Sequence, residues 1–169
     1  MTGGLAVLAV VLLGAGCTEA CNAQGVACAA DAADLTGTAV SGVVAGAAVT
    51  LGDSGWSPDA TCGPRGRILR LSAGVACGSG DGGAPAQLSI YLSDLRPGVY
   101  AFTGAVSCQS VPGGRGFFAD LHDGGGDRAA VAGAVTFDGG DPVARGSVDV
   151  QFEGDQHLRG HFTASACGS

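Results

Sequence analysis

From residue 38 onward, apolar side chains recur at every second position in short runs, and Gly, Pro or Asp ends each run. A period of two belongs to a strand with one buried and one wet face. A helical face would repeat every 3.6 residues, and no segment here sustains that period. In 67–77, Leu69, Leu71, Ala73, Val75 and Cys77 share a face, while Ile68, Arg70 and Ser72 share the other. In 87–93, Leu88, Ile90 and Leu92 alternate with Ser89, Tyr91 and Ser93. Tyr100, Phe102, Val106 and Cys108 fall together in 98–108, and Val148, Val150 and Phe152 alternate with Ser147, Asp149 and Gln151. Eight strands are predicted, near 38–51, 67–77, 87–93, 98–108, 115–121, 129–137, 143–153 and 156–166. Arg96-Pro97-Gly98, Asp138-Gly139-Gly140-Asp141-Pro142 and Glu153-Gly154-Asp155-Gln156 supply turns between them. The expectation is a single all-β domain over 37–169, an antiparallel β-sandwich or small β-barrel of about eight strands.

The core of such a domain is thin. Leu, Ile, Val and Phe number 38 in 169 residues, seven of them within the first thirteen. That scarcity excludes a large aliphatic α/β enzyme core and favours covalent staples. Eight arginines, no lysine and fifteen acidic residues leave a net charge of −7, which disfavours binding to nucleic-acid phosphate. The nearest approach to a basic cluster is Arg65, Arg67 and Arg70, which reads as a solvated strand edge.

The start of the chain carries an address. Residues 5–13 are apolar, too few to span a bilayer, and Gly14, Ala15, Gly16 and Cys17 follow. Leu13-Gly14-Ala15-Gly16-Cys17 resembles the lipobox of bacterial lipoproteins, although the position third before the cysteine is Gly14 rather than Leu. The resemblance implies a signal peptide over 1–16, lipidation of the Cys17 thiol, and a mature chain anchored to a membrane of the cell envelope. Residues 17–36 are Ala-rich and read as a tether with a short helix possible at 29–35. Near the other end, Gly160, Phe162, Ala164 and Cys167 are similar to the C-terminal hairpin of uncharacterised small β-rich bacterial lipoproteins. That likeness implies fold and location only.

With Cys17 taken by lipid, Cys21, Cys28, Cys62, Cys77, Cys108 and Cys167 remain, an even set that suggests up to three disulfides in an exported domain. The pairing expected is Cys21 with Cys28, Cys62 with Cys77, and Cys108 with Cys167. No Cys-x-x-Cys pair supports a zinc or thioredoxin-like site.

Several segments tempt a catalytic or metal reading. Gly52-Asp53-Ser54-Gly55 resembles the nucleophile region of chymotrypsin-like proteases and of the GDSL/SGNH hydrolases. No histidine precedes Ser54, and Asp155 and His157 are one residue too close for the terminal Asp-x-x-His of the second family, so the segment reads as a β-turn. His157 and His161 would lie about 13 Å apart on a regular strand, too far to share one zinc ion, and read as solvent-facing. Asp120, Asp123, Asp127, Asp138 and Asp141 sit in Gly-rich loops and suggest a calcium site, without the spacing of an EF-hand. Phe118 beside Tyr91 could form a binding patch, and Trp56 could anchor a ligand or cap the core, but packing is the simpler role for both. No cofactor is implied. The expected function is non-catalytic: a lipid-anchored envelope module for structure, interaction or binding, with an envelope protein or glycan as partner. A serine hydrolase using Ser54 and a calcium-dependent binding domain are the alternatives.

Overall fold

The computed structural model describes residues 39–77, 86–104 and 115–168. The tether, Cys17, Cys21, Cys28 and Cys108 lie outside the described residues. Among the described residues there are eleven strands: β1 (Val40–Val44), β2 (Ala47–Leu51), β3 (Asp53–Pro58), β4 (Arg67–Ser72), β5 (Gln87–Leu92), β6 (Gly98–Phe102), β7 (Gly116–His122), β8 (Asp127–Ala129), β9 (Ala132–Gly139), β10 (Val143–Phe152) and β11 (Gln156–Ala166). Eight of them close a ring in the order β10-β9-β6-β7-β5-β4-β3-β11, with β11 returning to β10. The all-β domain is therefore a small barrel. The β1–β2 hairpin joins the ring through β11, and β8 joins it through β7. All pairings are antiparallel except two, β6 with β7 and β3 with β11.

The interior is filled, as it must be in a barrel of this strand number. Tyr100, Phe117, Phe137, Phe152, Leu69, Leu71, Leu88, Ile90 and Leu92 are fully buried. Tyr100 meets Phe137 edge-on at 5.3 Å, and Phe137 meets Phe162 edge-on at 5.4 Å, the arrangement ring quadrupoles prefer. The alternation seen in β5 and β10 is obeyed residue for residue.

Several assignments change. The runs 67–77 and 98–108 are strand only through Ser72 and Phe102, Val75 is exposed rather than inward-facing, and 105–108 lie outside the described residues. The run 38–51 is a hairpin, because Ala45 and Gly46 both take positive φ (52° and 78°) and turn the chain. The run 129–137 divides into β8 and β9. The segment 52–55 is not a turn: Asp53-Ser54-Gly55 opens β3. Its turn-forming side chains bond outward to other segments instead. The Asp53 carboxylate accepts the Ala76 amide at 2.8 Å, and the Ser54 hydroxyl donates to the Thr163 carbonyl at 2.9 Å.

The disulfide pairing also differs. Cys77 is bonded to Cys167, which overturns the pairings of Cys77 with Cys62 and of Cys167 with Cys108. Local pairing would have closed the shorter loop, but strand register decides. The Cys167 amide donates to the Trp56 carbonyl at 2.8 Å, and the Asp53–Ala76 bond draws the end of the β4 extension back over β3. Both sulfurs then lie against Gly55, where a Cβ would overlap them. Cys62 is likewise half of a disulfide, with its partner outside the described residues.

Candidate functional site

One mouth of the barrel is formed by the start of β4, the β5–β6 connection and the β9–β10 connection. Arg67 opens β4 in phase with the inward-facing Leu69 and Leu71, so a cation enters the barrel at its rim. Its guanidinium stands 5.5 Å over the buried Trp56 ring, and Nη1 donates to the carbonyls of Arg65 (3.1 Å) and Gly66 (2.8 Å). Those acceptors are neutral, so the charge is held in place without being cancelled. The Trp56 indole in turn donates to the Pro142 carbonyl at 3.2 Å, tying β3 to the β9–β10 connection.

The second wall is the 93–97 connection. Asp94 and Leu95 are buried there, while Arg96 and Pro97 are exposed. The Tyr100 hydroxyl, fully inside, donates to the Asp94 carboxylate and lies 3.0 Å from the Arg96 carbonyl. Arg96 Nε donates to the same carboxylate at 2.6 Å. Burial alone would push the Asp94 carboxyl up, but the bonds from Tyr100 and Arg96 outweigh it and hold the group below its usual range. Burial, followed by the adjacent Asp94 charge, pushes the Tyr100 phenol well up. Arg115 lies 5.9 Å over the Tyr100 ring and donates to the Pro97 carbonyl, which fixes the same connection from outside.

Between these walls lies a cleft of about 540 Å³ lined by Arg65, Arg67, Asp94, Leu95, Arg96, Pro97, Gly140 and Asp141. That volume is within the range of small-ligand sites. Arg65 stands exposed on its rim and has no carboxylate partner among the described residues. The sequence spacing linked Arg65 and Arg67 to Arg70, but Arg70 points to the outer face and donates to Ser57. The third arginine of the group is Arg96, brought in by the β5–β6 connection. The one signal available in the sequence was Arg67 itself, a charge in phase with Leu69 and Leu71.

The residues singled out from the sequence lie elsewhere. Ser54 is on β3 with its hydroxyl proton directed to Thr163. His157 and His161 share the outer face of β11, but both are half-buried rather than solvent-facing. They sit on β11 between β10 and β1. His157 Nδ1 is 3.5 Å from Asp149, and Nε2 is 3.8 Å from Asp155. His122 pairs with Asp127 at 2.9 Å, and Asp123 accepts Arg128 Nε and the Gly125 amide. Among the described residues no group of three His, Cys, Asp or Glu is placed to hold a metal ion. Trp56 is buried in the core, on β3 rather than in a loop. Phe118 stacks on Tyr91 at 4.4 Å, but it is 6% exposed and packs with Cys62 and Phe102, so the pair forms a small outer core.

Comparison with protein-family models, with curated proteins and with solved structures finds no match to this chain.

Proposed function

We propose that this chain is an exported, lipid-anchored β-barrel of the bacterial cell envelope that acts by binding, as an interaction module rather than a catalyst, with the arginine-lined cleft as its binding site. The observation that carries the reading is the cleft itself. The barrel interior is packed with side chains, whereas the mouth holds an open, mixed polar and apolar space beside fixed guanidinium groups. The anchor half of the proposal rests on the lipobox resemblance at 13–17, and its partner is an envelope protein or glycan reached from the membrane. The hydrolase alternative needs Ser54 to give its proton to a base, and here that proton goes to a backbone carbonyl.

Intact mass of protein extracted from its native membrane tests the anchor. A chain beginning at Cys17 with added acyl mass is expected, and Cys17→Ser is expected to leave the membrane fraction. A lipid-free chain in the membrane would overturn the anchor. A serine-reactive fluorophosphonate tests the mode of action: no labelling of Ser54 in the folded protein is expected, and stoichiometric labelling would return the hydrolase reading.

A further inference from the structure

We infer that the mouth of the barrel is an oxyanion site, taking a small hydroxylated acid whose carboxylate or phosphate lies between Arg65 and Arg67 and whose hydroxyls face Asp141. The inference rests on the reading of the cleft as a binding site and adds the chemical class of the ligand. A chain of net charge −7 has few cations to spend, yet Arg65, Arg67 and Arg96 of its eight arginines line this one cleft. Their charges are not equal in consequence. Arg96 is paired with Asp94, and that carboxylate is further satisfied by Tyr100, so the two charges cancel within the wall. Arg67 is anchored by two neutral carbonyls and by Trp56, and Arg65 is exposed without a carboxylate partner among the described residues. Two arginines without a carboxylate partner among the described residues therefore line the cleft, and a guanidinium binds carboxylate or phosphate through forked, charge-assisted donation.

Asp141 is the one carboxylate in the lining not tied to an arginine, and it sits exposed on the β9–β10 side. It would repel a bare polyanion but accept hydrogen bonds from hydroxyl groups. Leu95 and Pro97 supply an apolar wall against which the carbon skeleton of a small ligand can rest. A cleft of about 540 Å³ holds one unit of sugar-acid size.

The test uses the full oxidised chain and three probes: gluconate (an anionic polyol), inorganic phosphate (an anion without a polyol) and glucose (a neutral polyol). Binding is read by calorimetry and by amide shifts around 65–67, 94–97 and 140–141. Gluconate is expected to bind most tightly, phosphate more weakly, and glucose not measurably. Arg65→Gln changes an exposed side chain and is expected to fold normally while weakening gluconate about tenfold, the effect of losing one charge-assisted contact. Arg159→Gln, on the outer face of β11, is the control and is expected to bind unchanged. Arg65→Lys retains charge without the fork and separates geometry from charge. Failure of both anions to bind, or equal loss in the Arg65 and Arg159 variants, would overturn the oxyanion site. Glucose binding in the cleft while the anions do not would overturn the ligand class alone, leaving the binding module in place.

Discussion

Tyr100 and Asp94 hold the floor of the mouth, and their titrations bracket the pH range in which it is stable. The Asp94 carboxyl lies below its ordinary value of 3.8 in the folded chain, so its contribution is whole above that pH and is lost as the pH falls through the lower folded value. Tyr100 is raised above its ordinary 10.0, so its contribution is whole below that pH and is lost as the pH rises through the folded value. Tyr100→Phe removes the donor from a buried carboxylate. It is expected to cost about 1–3 kcal/mol at neutral pH and to abolish the Tyr100 part of the alkaline loss, as read by urea melts across the pH range. An undiminished alkaline loss in that variant would place the titrating group elsewhere. Gly55 makes a second prediction. Its α-hydrogens face both sulfurs of the Cys77–Cys167 bridge, so Gly55→Ala must displace either β3 or the bridge. A loss of about 1–3 kcal/mol is expected, the cost of overpacking a tight contact, with a melting experiment as the check. Neither role was legible from the sequence. A glycine in Gly-Asp-Ser-Gly looks like turn chemistry until the register of another strand reveals what passes over it.

Two joins of the ring are short: β6 with β7, and β3 with β11, where Ser165–Gly55 and Ala166–Trp56 are in register. The opposite edges of β3 and β11 are paired over six and ten positions, to β4 and β10. The Cys77–Cys167 bridge crosses this short seam and spans 90 residues of sequence. Cys167→Ser is therefore expected to cost about 2–5 kcal/mol. Hydrogen exchange should rise first at 53–57 and 163–167, and only later in β9 and β10. Uniform loss of protection would show that the bridge acts on the unfolded chain alone. Strands β5 and β10 were legible because their apolar positions alternate cleanly. The seam was not, because parallel joins such as β3–β11 and β6–β7 leave no turn between their partners. Proximity in sequence, which loop-closure entropy favours, pointed instead to Cys62 as the partner of Cys77.

At the scale of the molecule, ring closure, hairpin and bridge are all built from residues 40–167. The period of two and the scarcity of apolar residues made an all-β fold legible. They left sandwich and barrel open, because closure depends on which two strands meet last. The cleft was illegible for the same reason: Arg65, Arg67 and Arg96 converge only once β5 lies beside β4 and its following connection folds over the mouth. This division has a mechanical consequence for the proposed anchor. The proposed anchor requires residues 17–36 to act as a tether, and a flexible coil of that length would reach roughly 25 Å on average, enough to hold a barrel clear of a membrane. A chain beginning at Gly37 is then expected to melt within about 2 °C of the full mature chain, because one kcal/mol shifts a domain of this size by several degrees and no packing of the tether is invoked. Differential scanning calorimetry of the two chains measures this directly, with both oxidised and both carrying Cys62→Ser so that no bridge to the removed segment enters the comparison. A fall of several degrees on truncation would make the segment before 37 part of the folded unit and would move the start of the domain toward Cys17.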